Sequence, residues 1–295
     1  MRRTLTLKLI SIFTIGLAAS AWAETNHSPS TSIWKVSKGG DAVYIGGTVH
    51  ILPISEFPLP NVFTDVYQNS DTIVLEADLP EPTDLAAQQK MLAAMTYGNG
   101  KTLKDELSSE TYSALNQYLG AFGSSADQIA GFKPGLIATM LVTMEAQRNQ
   151  LAGEGVDAYF TQLAKRDGKP REFLESLEFQ VNMLAQMGEG EEDRFIAETL
   201  ATLPELKEML QSTIKAWRVG DTTKLNELII DTFKRESPAS FDEVFIKRNQ
   251  NWVPKIESMF GDDDKEFVLV GTGHLVGQSN VLALLEEKGY LVEQL

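Results

Sequence analysis

The sequence predicts an α/β fold of α+β-like character, with a central sheet built from N- and C-terminal strands and a large helical middle segment. Three observations predict it. Short β-type runs, Ala42-Val43-Tyr44-Ile45, Thr72-Ile73-Val74-Leu75, Arg171-Glu172-Phe173-Leu174 and Phe267-Val268-Leu269-Val270, each stop at glycine or glutamate and read as buried strands. Helical patterns fill the spaces between them, the longest running from about Glu178 to Ser258. The first and last runs lead into the same tetrapeptide pattern, so the two ends of the chain are expected to meet in one sheet.

The chain opens on Arg2, Arg3 and Lys8, an apolar stretch from Leu9 to Ser20, and Ala21-Trp22-Ala23. This is the pattern of a cleavable signal peptide over residues 1–23, cut after Ala23, and it predicts a periplasmic or secreted protein. At about a dozen residues the apolar stretch is shorter than the roughly 20 that span a bilayer, so no stable membrane insertion is expected after cleavage. Residues 24–295 read as a single domain whose helical insertion covers approximately 81–165 and 178–260. Within it, Lys133-Pro134 opens a helix with a core stripe of Leu136, Met140, Leu141 and Met144. Gly220 reads as a helix stop, and Pro204 and Pro254 as helix starts or kinks. Ser240-Phe241-Asp242-Glu243 fits a capping box that would open the helix carrying Arg248, Trp252 and Ile256 on one face.

Composition narrows the function classes. There is no cysteine, which excludes a disulfide framework, a thiolate metal site and a cysteine nucleophile. The formal net charge is −15, and loss of the leader would remove three cations and no acid, leaving −18. Such a surface repels nucleic acid and anionic membranes. The acidic runs Glu189–Asp193 and Asp262–Asp264 lack the ligand spacing of a calcium loop and read as solvated.

The chemistry concentrates on histidine. Of three histidines, His27 falls in the tail beyond the cut, leaving His50 in Gly47-Thr48-Val49-His50 and His274 in Gly271-Thr272-Gly273-His274. Glycine is 22 of 295 residues, so chance places it at that offset before both histidines roughly once in 200. A strand that ends in glycine can turn sharply and deliver an imidazole just past its carboxyl end, where α/β sheets bind ligands. There it can serve as base, acid or metal ligand near neutral pH. Glu76 and Glu175 also follow strand runs, and either carboxylate could bind metal, orient an imidazole or act as base, or simply sit at a helix start. Arg248, with Asn249 beside it, could clamp a carboxylate or stabilise an oxyanion, or be a surface charge over Trp252. Val270-Gly271-Thr272-Gly273-His274-Leu275-Val276-Gly277 is followed by too little chain for a dinucleotide-binding βαβ unit, and no serine-hydrolase elbow or zincin helix occurs.

Read in order, Ile33-Trp34-Lys35-Val36, Ile45 to Pro53, Leu75-Glu76-Ala77-Asp78, Gly155-Val156-Asp157, Leu174 to Gln180, Arg248 to Trp252 and Val270 to Gly277 resemble the TraB/GumN/PrgY family over nearly the whole mature chain. Its relatives include Tiki-type metalloproteases and, more distantly, erythromycin esterases and ChaN-like haem-binding proteins. The resemblance implies an α/β core with paired Gly-x-x-His turns and a Glu at the active site, matching His50, His274 and Glu76, with Arg248 or Asn249 in support. It suggests a peptidase-like hydrolase of peptide or ester substrates in which His50, Glu76 and His274 bind a divalent metal, Mn²⁺, Co²⁺ or Zn²⁺. Glu175 would be base or fourth ligand. The alternatives it leaves are a metal-free His/Glu esterase-type hydrolase, or a periplasmic protein binding haem, metal or a small ligand without catalysis.

Overall fold

The computed structural model describes residues 31–295 apart from positions 82, 99 and 262, so the expected leader and His27 lie outside the described residues. Its strands are β1 (Ile33–Lys38), β2 (Asp41–Thr48), β3 (Thr72–Leu75), β4 (Arg171–Phe173), β5 (Glu266–Gly271) and β6 (Leu291–Gln294). They form one six-stranded sheet in the order β4-β3-β5-β2-β1-β6, so strands from both ends of the chain do share it. The four strands β4, β3, β5 and β2 are mutually parallel, while β1 and β6 add antiparallel. Gly39 and Gly40, at φ +63° and +96°, close the β1–β2 hairpin, because a two-residue turn of this hand needs positive φ at both positions.

The alternation of side chains along the strands separates two cores. One face sets Ile33, Ile73, Leu75, Phe267 and Leu269 against Phe63, Phe160 and Trp217 from helices Asn61–Asn69, Val156–Asp167 and Leu206–Arg218. The other sets Val36, Val43, Ile45, Val268 and Val270 against Trp252 and Ile256 of helix Lys247–Glu257 and Leu285 of helix Val281–Glu287. The helical middle has its own core, in which Leu141 of the Pro134–Arg148 helix meets Leu103, Leu115 and Ile196, with Met140 and Met144 packed beside them. The Met and Leu stripe is therefore core, and Pro134 does open its helix.

Several local expectations change. Arg171–Phe173 is a three-residue edge strand with partly exposed side chains rather than a buried one, and the short strands β1 and β6 join as well. The capping box at Ser240 does not form. Pro238 opens the helix earlier because its fixed φ suits the first helical position, and Ser240 N–H already donates to the Ser237 carbonyl at 3.1 Å. The chain then passes through a π-helical turn, Asp242–Ile246, directly into Lys247–Glu257, with Pro254 inside that helix. Gly220, at φ +62°, does stop its helix.

Candidate functional site

Parallel strands present their carboxyl ends to one edge of a sheet. Here the residues just past β2, β3, β4 and β5 are His50, Glu76, Glu175 and His274, so the topology alone gathers all four. Strands β2 and β5 are neighbours, with Gly47 opposite Val270 and Thr48 opposite Gly271, so the two Gly-Thr-x-His segments run side by side. They are also stitched together. The Thr272 hydroxyl donates to the Thr48 carbonyl at 2.9 Å, and a Cβ on Gly47 would lie 2.7 Å from that hydroxyl, so only glycine admits the contact.

Each imidazole is oriented through Nδ1. His50, whose side chain is 62% exposed, sets Nδ1 3.1 Å from Asp157 Oδ1. Asp157 is in the first turn of its helix, brought there by the Val156 N–H donating to the Val49 carbonyl at 3.0 Å. His274 is buried in a single 3₁₀ turn, Thr272–Leu275, between the rings of Phe245 and Trp252. Its Nδ1 is 2.6 Å from Asn249 Oδ1, and the Asn249 amide is itself oriented by donating Nδ2–H to the Ser279 carbonyl at 2.9 Å. A carboxylate and an amide oxygen can only accept, which assigns the proton of each neutral imidazole to Nδ1 and the lone pair to Nε2.

The carboxylates are gathered by one arginine. Arg248 is 5% exposed, and its Nη2 donates to Glu76 Oε2 at 2.6 Å and Glu175 Oε1 at 2.7 Å. Its Nε donates to both oxygens of Glu175, and Nη1 reaches His274 Nε2 at 3.0 Å and the Val244 carbonyl at 3.3 Å. A guanidinium has five N–H groups, and these contacts use every one. Glu76 Oε1 accepts from the Gly271 N–H at 2.7 Å, Gln180 Nε2 bridges Glu76 and Glu175, and Trp252 Nε1 donates to Glu175 Oε2 at 3.0 Å.

These contacts fix the charges. Although burial opposes ionisation of Glu76, Arg248 foremost, then the histidines and the Gly271 N–H, hold its carboxyl down to about 2. Burial drives His274 down to about 3, and the Arg248 charge adds to it while Glu76 opposes, so this imidazole is neutral. His50 goes the other way. Partial loss of water opposes its charge, yet the hydrogen bond and charge of Asp157, with Glu76 behind, raise it to about 9.

The groups face a space left by a missing side chain. A Cβ on Gly271 would stand 3.3 Å from both Glu76 Oε1 and His50 Nε2, and 3.7 Å from His274 Cδ2. The residue types there suit a divalent ion, but the arrangement does not fit one. Among the described residues no three His, Asp or Glu side chains stand close enough to hold an ion, and the His274 lone pair accepts from Arg248. The positive charge beside the imidazole and the carboxylates is the guanidinium itself.

The structure thus brings His50, Glu76, Glu175, Arg248, Asn249 and His274 together. It gives Arg248 no spare N–H for an oxyanion, so its contacts are those of a counter-ion and positioning group. Two further members, Asp157 and Gln180, carry no assigned chemistry in the sequence. The only signal for Asp157 is its place in Gly155-Val156-Asp157, where a Cβ on Gly155 would lie 2.6 Å from the His50 carbonyl oxygen.

The chain is similar to YbaP of Escherichia coli (strain K12), an uncharacterized protein, at 25% identity over 264 residues, covering 88% of this chain and 94% of that one. The same figures hold for YbaP of Shigella flexneri. It is also 23% identical over 307 residues to metalloprotease TIKI2 of Danio rerio, covering 85% of this chain but 58% of that protein. No solved structure matches at comparable stringency. With residues 32–294 matched by the model of the TraB/PrgY/gumN family, the chain belongs to that family.

Proposed function

We propose that the protein is an exported hydrolase that cleaves a peptide or ester carbonyl at the carboxyl edge of β2, β3 and β5. One observation carries the reading: His50 Nε2, Glu76 Oε1 and His274 converge beside Gly271, a position without a side chain. Export is supported by the basic, apolar and Ala21-Trp22-Ala23 sequence of the leader, and among the described residues no helix is long and apolar enough to cross a membrane. Hydrolysis is supported by the similarity to a protein named a metalloprotease.

Asp157 holds His50 Nδ1–H, so the neutral imidazole presents Nε2 to a water and takes its proton as the water attacks the carbonyl. Asp157 then stabilises the imidazolium, which returns the proton to the leaving group. Glu76 and His274 are held on the opposite side by Arg248, where Glu76 places a negative charge that favours the developing imidazolium. Glu175, Asn249 and Gln180 position these groups through the contacts described above.

A metal-dependent reading, with Mn²⁺, Co²⁺ or Zn²⁺ on His50, Glu76 and His274, draws support from the same relative and from the donor types. It requires Arg248 to release His274 Nε2. One experiment tests both readings: purified protein, its His50→Ala variant and its Asp157→Asn variant are assayed on a peptide library and a chromogenic ester, with and without chelator. The proposal expects activity that survives chelation, is abolished in His50→Ala and is reduced in Asp157→Asn. Full activity in His50→Ala would overturn it, and loss in chelator restored by one ion would select the metal-dependent form.

A further inference from the structure

We propose that the cavity beside this site is the subsite that selects the substrate, taking a short peptide segment with a large apolar side chain next to lysine or arginine. The inference rests on the hydrolase reading above. The cavity, of about 380 Å³, lies between helix Leu177–Gln186, helix Glu192–Thr202 and the 236–244 segment. Two of its walls are tied to the catalytic groups. Phe179 immediately precedes Gln180, whose amide bridges Glu76 and Glu175, and the Val244 carbonyl accepts from Arg248 Nη1.

Part of its lining is an apolar stripe that leads away from the site. Phe179, Met183 and Met187 recur every four residues along one helix face and its end, and Phe195 and Val244 line it from the neighbouring elements. Phe179 is 39% exposed, so its ring is open to a ligand at the cavity wall. Methionine walls adapt to side chains of different shape. The eight steps from Phe179 to Met187, at the helix end, span roughly 12 Å, which matches about three to four residues of extended chain.

Charge chooses among apolar ligands. Glu189, Glu191, Glu198, Glu236 and Glu243 line the cavity against Arg194 alone. Counting Arg235 and Lys247, which pair with Glu236 and Glu243 from just outside, carboxylates still outnumber cations five to three. The pairs are solvent-exposed and so weak that cations on a ligand can replace them.

The test is direct binding to the full chain. Three fluorescein-labelled heptapeptides are titrated by anisotropy against the His50→Ala protein: one with Leu and Phe flanked by Lys, one with Glu replacing Lys, and one with Ser replacing Leu and Phe. The expected result is at least tenfold tighter binding of the first than of either other. A Phe179→Ser/Met183→Ser variant should lose at least fivefold of that affinity, and Glu189→Lys should weaken the lysine peptide without weakening the glutamate peptide. Equal binding of the three peptides, or binding indifferent to both variants with unchanged circular dichroism, would overturn the inference. A small chromogenic acetate ester, which has no side chain to fill the cavity, separates the two readings. Hydrolysis of the ester with indiscriminate peptide binding sinks the subsite and leaves the hydrolase. Selective binding with no hydrolysis of ester or peptide sinks the hydrolase and leaves the cavity's preference.

Discussion

Replacing Arg248 by methionine removes the one cation that two largely buried carboxylates share. The Glu76 and Glu175 side chains are 13% and 9% exposed, and the arginine between them 5%. Removing one partner of such a cluster leaves charge without compensation, which costs about 3–5 kcal/mol. The titration of Glu76 points the same way: its carboxyl is held from 4.5 down to about 2, with Arg248 the largest influence acting against burial.

The sign of the pH dependence follows. A depressed carboxyl contributes stability above its unfolded pKa, near 4.5, and loses it as pH falls toward 2. In Arg248→Met that contribution is absent, and burial raises the Glu76 carboxyl instead, so the variant gains relative stability on acidification. Urea unfolding followed by tryptophan fluorescence should show a loss of about 3–5 kcal/mol at pH 7, narrowing by more than about 1 kcal/mol at pH 4. The double variant Arg248→Met/Glu76→Gln should recover part of the loss at pH 7. A loss below about 1 kcal/mol at pH 7, or one independent of pH, would refute the counter-ion argument.

Three other outcomes are expected. Because the free His50 imidazole titrates near 9 and acts as base when neutral, kcat/KM should rise about tenfold per pH unit from 6.5 toward 9 and then level; a flat profile removes the base role. Asp157→Asn should move the His50 titration, followed by the imidazole Cε1–H resonance, down toward 6.5, and an unmoved titration would show that Asp157 does not set it. Gly271→Ala places a methyl 3.3 Å from Glu76 Oε1 and His50 Nε2, so kcat should fall by about tenfold or more with little change in Tm; unchanged kcat would place the reacting atoms elsewhere.

The parts of the fold legible in the sequence are those whose burial is continuous. β3 and β5, Thr72–Leu75 and Glu266–Gly271, are buried at every position and read as apolar runs. β6, Leu291–Gln294, is exposed on an outer edge and mixes apolar with polar residues, so periodicity gives no sign of it. The same logic divides the site. His50, Glu76 and His274 are legible because each follows a strand, and parallel strands deliver such residues to one edge. Asp157 lies 107 residues from His50, and Gln180 104 from Glu76, and only the packing of their helices on the sheet makes them neighbours.

Arg248 shows most clearly what a one-dimensional pattern omits. Its spacing with Trp252 and Ile256 places it on a helix face, and that face is compatible with a surface charge over a tryptophan, with an oxyanion donor or with a carboxylate clamp. The structure supports the last, because the face is turned into the sheet edge and the guanidinium, 4.6 Å from the Trp252 ring, is buried with every N–H engaged, three of them on the Glu76 and Glu175 carboxylates. Which of these an arginine becomes depends on how many acceptors surround it. Two of those acceptors, Glu76 and Glu175, are supplied by strands 172 and 73 residues earlier in the chain. The role is therefore set by the β4-β3-β5 strand order, which places both carboxylates on the edge beneath this helix, and the helix sequence alone does not choose among the three.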